Sequence, residues 1–498
     1  MSVADAPFAG RRLHFVGIGG AGMSGLALVA AELGATVTGS DRAESTYTAR
    51  LREHGIEPSI GHDAANLPEG AEVVVSTAIP ADNPELAAAR AAGNQVIHRG
   101  ELLGELTRLK QCIAIAGTHG KTTTCGMAAH VLRATGRDPA FVIGGELRSA
   151  GTNAAWGAGD WIVAEADESD RSFLHLSRDI AVVTNIELDH HATYHSLADL
   201  QSTFAAFTAP AALTIAWQHA AEALAPARSA AAAPTGSASP ASASAAEAAA
   251  GDESPSSDSQ AERGLVSRGV PPTPRTQTYG IDTGDFSATD VELRPMGAHF
   301  TVDGTPVTLN VPGHHNVLNA LAALAACRAA GVPLAEAAPA IAGFRGTGRR
   351  FEDRGVTATG ARVYDDYAHH PTEVRATLEA ARTLEARRIV ACFQPHLYSR
   401  TRELAREFGR ALAIADVVVV VDVYPARERA EDFPGVSGLL VAEAAADARP
   451  GGKVWWLPAL SDAERMLRGH LRHDDVLLTL GAGDVDRVAA ALTAEAGR

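Results

Sequence analysis

The 498-residue sequence predicts an α/β protein of three domains in series. Three observations carry that reading. Apolar, β-branched runs recur along the chain and alternate with alanine-rich stretches of helical period, the pattern of parallel strands joined by crossover helices. Two run ends carry glycine spacings that suit a phosphate, at residues 17–22 and 117–120. Residues 226–274 break the alternation with Ala, Ser, Pro and Gly and no apolar period, so they read as a disordered insert rather than a domain.

Composition bounds the function. The chain is 46% hydrophobic and 20% charged, a globular balance, and its length exceeds what one ordinary core fills. A net charge of −16 argues against nucleic acid or an anionic membrane as partner, while leaving room for a local basic site. Cys112, Cys125, Cys327 and Cys392 are scattered without a paired metal spacing, which suits reduced thiols. Neither a signal-like start nor a run of membrane-spanning length is present, so the expectation is a soluble, cytoplasmic protein. Oligomeric state is not legible.

Residues 1–110 form the first expected domain. A strand at 13–16 runs into Gly17, Gly19 and Gly22, then an alanine-rich helix and a second strand ending at Asp41. Glycines of this spacing let a diphosphate approach a helix N-terminus, and the acidic residue lies near its usual place, hence a Rossmann-like unit. NAD and a nucleotide-sugar both fit. Later strand ends at 73–76 and 96–99 lie on the same rim.

The second expected domain, residues 111–348, opens with the most informative segment. An apolar strand at 112–116 ends in Gly117-Thr118-His119-Gly120-Lys121-Thr122-Thr123. Glycine backbone, a helix N-terminus, a lysine and a hydroxyl together suit ATP phosphates and Mg²⁺, so this is a central P-loop ATPase-type α/β domain. The loop is a shortened variant, because Ile115 stands where the longer pattern wants glycine. Lysine occurs only at 110, 121 and 453, with arginine elsewhere, which singles out a point charge at 121. A strand ending at Glu165 leads into Asp167, Glu168 and Asp170, a carboxylate cluster in the usual place for a magnesium-binding acid. His190 follows the end of a further strand at 180–185, where open α/β sheets place ligands. His315, Asn316 and Asn319 open another helix.

Residues 349–498 alternate again and form a C-terminal Rossmann-like α/β domain, with strands at 388–393, 417–423, 453–457 and 476–480 and a helix at 403–415. Dense polar clusters at 364–373 and 394–400 are poor core material. An ATP site, a separate nucleotide-type domain and a third polar-rimmed domain suggest ATP-driven joining of two substrates in a cleft that closes against water.

These motifs, in this order, resemble the Mur ligase family. The resemblance rests on residues 17–25, 116–124, 164–170, 315–320, 348–351, 365–373 and 393–396, and covers the chain apart from the insert. It implies an ATP-dependent ligase joining L-alanine to the lactyl carboxylate of UDP-N-acetylmuramic acid through an acyl phosphate. By resemblance, Gly19, Gly20, Ala21 and Gly22 face the diphosphate, with Asp41, His62, Ser76 and Arg99 around the UDP-sugar. Gly117, Thr118, His119, Gly120, Lys121, Thr122 and Thr123 hold the ATP phosphates; Thr122, Glu165 and His190 bind magnesium. His315, Asn316 and Asn319 lie at the nucleotide base, and Arg350 and Asp365 reach the nucleotide from the C-terminal side. His369, His396 and Arg400 belong to the amino-acid side, with Arg400 holding the alanine carboxylate and Lys121, His190, His369 and Arg400 closest to the chemistry. Two departures stand out: Leu397 where arginine is common, and His191 and Ala192 after the histidine in place of Met and Asp. Several family members carry a carbamylated lysine beside magnesium, yet this chain has no lysine from 122 to 452. A sister ligase that adds a different amino acid or joins a recycled peptide to the same sugar, and a nucleotide-binding regulator without catalysis, are the alternatives; intact Lys121, Glu165 and His190 count against the last.

Overall fold

A computed structural model describes residues 6–190, 193–232 and 275–494. Most of the expected insert, and the departure at His191 and Ala192, lie outside the described residues.

The first sheet contains β1 (Arg12–Val16), β2 (Thr36–Asp41), β3 (Ser59–Ile60), β4 (Glu72–Val75) and β5 (Val96–His98), all parallel in the order β3-β2-β1-β4-β5. Helices α1 (Ala21–Glu32), α2 (Thr46–Glu53), α3 (Pro84–Ala92) and α4 (Arg99–Arg108) connect them. The glycine turn leaves the C-terminal end of β1 between β2 and β4, the point where the strand order reverses and ligands enter. Gly25 of α1 packs on Asn153 and Ala154, and Asn153 donates to Ala21 O at 2.6 Å. One apolar core therefore runs from the first sheet into the second and fixes the glycine turn above it.

The second sheet begins with β6 (Gln111–Ala116), and α5 (Lys121–Ala134) follows the phosphate loop. It continues through β7 (Ala140–Leu147), β8 (Thr152–Ala155), β9 (Trp161–Glu165), β10 (Ile180–Val183), α6 (Leu197–Thr208), β11 (Leu213–Trp217), α7 (Gln218–Ala232), β12 (Arg275–Ile281), β13 (Phe286–Arg294), β14 (Gly297–Val302), β15 (Thr305–Leu309), α8 (His314–Ala329) and α9 (Leu334–Ile341). Strand β6 lies between β10 and β9, all three parallel, so the loop, Glu165 and the β10 exit emerge side by side. Two elements differ from expectation. The pair β7–β8 was not anticipated, because Gly144 and Gly145 interrupt the β pattern and the pairing register shifts there. Residues 226–232, expected as insert, continue α7 past Pro226; Leu224 and Ala227, one helical turn apart, pack on the central core and hold that turn.

The third sheet runs β16-β17-β21-β18-β19-β20, formed by β16 (Glu352–Val356), β17 (Arg362–Asp366), β18 (Arg388–Phe393), β19 (Val417–Val420), β20 (Lys453–Trp456) and β21 (Asp475–Leu480). All but β16 are parallel, and α10 (Pro371–Arg382), α11 (Tyr398–Leu412), α12 (Gly438–Ala448), α13 (Leu460–His470) and α14 (Asp486–Thr493) cover both faces. Helix α11 starts five residues before the expected 403, because Glu428 accepts from the Ser399 backbone N–H (2.9 Å) and its hydroxyl (2.5 Å) in the first turn. No helix among the described residues is long and apolar enough to cross a membrane.

Candidate active site

The phosphate loop is built for close backbone approach. Gly117 has φ of 138° and Gly120 of 81°; a Cβ on the first would lie 2.0 Å from Thr184 Oγ1, and on the second 2.4 Å from Asn319 Oδ1. Only glycine meets both constraints. The β10 exit ties the loop down. Thr184 Oγ1 donates to His119 O at 2.6 Å, the His119 N–H donates to Asn185 Oδ1 at 2.8 Å, and Thr118 Oγ1 donates to Glu187 O at 2.9 Å.

Lys121 folds back over the loop, donating to Gly117 O (2.6 Å) and to Glu168, whose oxygens lie at 2.8 and 3.1 Å. Burial alone would lower its pKa, but Glu168 and Asp167 raise it well above the usual lysine value, so the charge is secure. Thr122 Oγ1 donates to Glu165 Oε1 at 2.9 Å, and the Gly144 N–H donates to Glu165 Oε2 at 2.7 Å. His190, at φ 56°, lies 3.6 Å from Glu168 and 3.7 Å from Asp189. Of the three expected magnesium ligands, Thr122 and Glu165 are thus in contact, whereas His190 lies beside Glu168, the partner of Lys121. Glu168 was missed as an individual residue: nothing in a run of four acids tells which one turns inward. A hydroxyl and carboxylates in this proportion fit a hard cation such as Mg²⁺.

One cavity lies beside the first turn of α5, and a second lies beside the Glu165 carboxylate that Thr122 contacts. The larger reaches from Gly120 and Thr123 past His315, Asn316 and Asn319 to Arg350 and is open to solvent, with about 1330 Å³ of atom-free space when that solvent-facing part is included. Asn319 Nδ2 donates to Asn316 Oδ1 (3.0 Å), and Thr124 Oγ1 donates to Asn319 Oδ1 (3.3 Å), which locks the amides beside the loop. Burial pushes His315 down to about 4, so it is neutral. Arg350 lies over the Tyr367 ring at 5.2 Å. Asp365 departs from expectation. It is fully buried beneath Arg349 (2.9 Å) and accepts from Thr479 (2.7 Å); its neighbour Asp366 faces the cavity instead. Burial raises Asp366 to about 6, although it accepts the N–H groups of Phe351 and Ala368.

The second cavity lies between the glycine turn of the first sheet and the central carboxylates, lined by Ala21, Gly22, Arg99, Gly144, Glu165 and Asp167 among others. Asp41 accepts the Gly19 N–H at 2.9 Å, and a Cβ on Gly22 would lie 3.2 Å from Arg99 Nη1. Gly20 precedes α1 in extended conformation as its N-cap. Arg99 reaches across to Asp167 (2.8 Å) and Asp170 (3.8 Å), linking the first sheet to the carboxylate cluster of the second. His62 is held at 2.9 Å by Ser40, which donates to the fully buried Glu85 at 2.5 Å. Glu85 also accepts from Asn66 (2.9 Å) and faces His14 (3.2 Å), a network that fixes the His62 loop and was not read from sequence. At the β4 exit the Ser76 hydroxyl accepts a long contact from the Ala78 N–H at 3.4 Å, and its carbonyl accepts from the Ile79 N–H at 3.1 Å.

On the third sheet, Arg400 does not stand open to a substrate. Its guanidinium forms a bidentate pair with Asp189 of the central unit, Nη2 donating to the two oxygens at 2.9 and 3.0 Å and Nε to Oδ1 at 3.2 Å; both side chains are about 95% buried, and Nη1 lies 3.2 Å from His396 Nδ1. Burial opposes charge on Asp189, but Arg400 above all, with His190 beside it, holds its carboxyl well below the usual carboxylate range. His369 and His396, 5.8 Å apart by ring centroids, are pushed by burial to about 4 and about 2 and are neutral. Leu397 adopts φ 70° and turns the chain into α11.

Comparison with known proteins places this arrangement. Family models match in series: the Mur ligase family catalytic domain over residues 12–111, the Mur ligase middle domain over 115–217 and the Mur ligase glutamate ligase domain over 349–483. The chain belongs to the Mur ligase family. A UDP-N-acetylmuramate–L-alanine ligase of Acidithiobacillus ferrooxidans is 44% identical over 495 residues, covering 96% of this chain and 97% of that protein. The solved UDP-N-acetylmuramate–alanine ligase of Thermotoga maritima superposes with a TM-score of 0.77 at 29% identity, over 98% of this chain and 99% of that one. A murein peptide ligase of Psychrobacter arcticus shares the fold with a TM-score of 0.70 at 24% identity, over 97% of this chain and 99% of that one.

Within this Mur ligase the lysines other than Lys121 are accounted for. Lys110 donates to the carbonyls of Gly157 (2.8 Å) and Gly159 and lies 4.8 Å from the Trp156 ring centre, and Lys453 starts the edge strand β20. Neither reaches Glu165 or Glu168. Activity should therefore be independent of added bicarbonate; strong activation by bicarbonate in a decarbonated assay would contradict this.

Proposed function

We propose that this chain joins L-alanine to the lactyl carboxylate of UDP-N-acetylmuramic acid at the expense of ATP, releasing ADP and phosphate, in cytoplasmic peptidoglycan precursor synthesis. The observation that carries the reading is the position of the first turn of α5. Thr123 lines the larger cavity, while Thr122 contacts Glu165 of the second. A nucleotide in one cavity and a sugar carboxylate in the other would meet at that turn.

In this reading the N-terminal unit (1–110) holds the UDP-sugar, the diphosphate lying against Gly19, Gly20, Ala21 and Gly22. The central unit (111–348) holds ATP, and the C-terminal unit (349–498) closes with the amino acid. Thr122, Glu165 and His190 would hold Mg²⁺, with Glu168 beside His190; a bound ion would neutralise phosphate charge. The lactyl carboxylate oxygen attacks the γ-phosphorus, and the bond to the ADP oxygen breaks, giving an acyl phosphate. Lys121, already charged, stabilises the charge moving onto the β–γ oxygens without reorganising. The uncharged amine of alanine then attacks the acyl carbon, the tetrahedral centre expels phosphate, and the amine proton leaves. Packing of the third unit against the loop excludes water.

The deciding experiment is phosphate release by the full chain with each substrate omitted in turn. Release that needs ATP, UDP-N-acetylmuramic acid and L-alanine together is the expected result. Release that needs a peptide in place of alanine, or none with any amino acid, would overturn the assignment.

A further inference from the structure

At the seam between the phosphate loop and the third sheet, three side chains converge that the proposed reaction does not use as a metal site. Ligand atoms of His119, Glu187 and His370 all lie within 4.8 Å of one another. His119 is only 9% exposed, and its Nε2 is buried with no hydrogen-bond partner, 3.4 Å from Glu187 Oε2. Two ligands of a tetrahedral zinc ion, each about 2.0–2.1 Å from it, stand roughly 3.4 Å apart. That pair therefore already has the required spacing, and His370 needs only a small side-chain adjustment.

The surroundings fit a metal as well. His119 Nδ1 lies 3.2 Å from Glu373 Oε1, the carboxylate–histidine arrangement that leaves the other ring nitrogen to a metal. Glu187 is oriented by the Thr372 hydroxyl, which donates to it at 2.7 Å. His370 lies against His119 with ring centroids 4.6 Å apart and the rings tilted by 35°, and burial together with the neighbouring His119 keeps it neutral at about 4. Burial opposes charge on His119, but the two carboxylates raise it to about 9, so a proton sits where a cation is welcome. The long Thr372 N–H bond to His370 Nδ1, at 3.3 Å, would be exchanged on binding.

We propose that His119, Glu187 and His370 bind a borderline-soft divalent cation of the zinc type, at a site separate from the oxygen-rich magnesium position. Imidazole nitrogens select such ions over Mg²⁺. Two ligands come from the central unit and one from the N-cap of α10 in the C-terminal unit, so a bound ion would tie these two units together beside the larger cavity.

The test uses the full chain without nucleotide, at pH 8 in excess Mg²⁺, with zinc affinity measured by competition against a chromophoric chelator. His370→Asn retains a good helix N-cap at α10 while removing the imidazole, and Glu187→Gln retains an acceptor for Thr372. Each should lower zinc affinity at least tenfold, with thermal melting near that of the parent in metal-free buffer. Glu165→Gln, in the magnesium position, should leave zinc affinity unchanged. Cobalt in place of zinc should give the visible absorption of a four-coordinate ion, lost in His370→Asn. Zinc affinity within twofold of the parent in both His370→Asn and Glu187→Gln, or lost in Glu165→Gln instead, overturns the proposal. Because the readout is binding, its failure is distinct from failure of the ligase reading.

Discussion

Lys121→Ala is expected to abolish turnover, with kcat lowered at least ~10³-fold, a loss of roughly 4 kcal/mol of transition-state stabilisation. The structure adds a second effect. Glu168 is 1% exposed and takes its charge partner from Lys121, so truncation strands a buried carboxylate whose remaining ion-pair neighbour among the described residues is His190, at 3.6 Å. Breaking one side of a buried pair costs about 3–5 kcal/mol. The single variant should therefore melt at a lower temperature as well as lose activity. The double variant Lys121→Ala/Glu168→Gln separates the two effects, because neutralising the stranded carboxylate should recover melting temperature while leaving turnover absent. Measurable phosphate release from either variant at near-parent rates would remove Lys121 from the chemistry.

How much of this was legible in the sequence depends on whether the signal is local. The phosphate loop was readable because Gly117, Gly120, Lys121 and Thr122 need one another within six residues, and their backbone requirements are written in residue type. The strands bearing Glu165 and His190 were readable because a parallel-strand end is marked by the end of an apolar run. Partner choice was not. Asp365 and Asp366 are adjacent on β17 and point to opposite faces, so composition alone could not tell that Arg349 claims the first and the cavity the second. Asp189 precedes His190 in a polar run, and only the packing of α11 against the β10 exit reveals that its carboxylate meets Arg400, 211 residues away. Glu85 sits in the first turn of α3, where an acid is ordinarily a solvated helix-dipole partner; that it is fully buried follows from His14 and Ser40 on other strands.

The pairing of Arg400 with Asp189 also reshapes the expectation for the amino-acid side. A guanidinium already holding a carboxylate bidentately is a site of the right chemistry for a second carboxylate, provided the first moves. Arg400→Ala should lower kcat/KM for L-alanine at least ~10³-fold, since it leaves Asp189 buried without its partner and removes the proposed alanine anchor, each worth about 3 kcal/mol or more. Affinity for ATP, read in the absence of alanine, should change only a few-fold. Two roles are then distinguished by a substrate without a carboxylate. If Arg400 anchors alanine, the parent enzyme should strongly prefer L-alanine to L-alaninamide, and the variant should lose that preference. If Arg400 serves only to hold the third sheet against the central one, the preference should survive in the variant, and Asp189→Asn/Arg400→Ala should regain much of the activity lost in the single variant. A preserved preference for L-alanine would sink the anchoring role and leave Asp189–Arg400 as an interdomain contact alone.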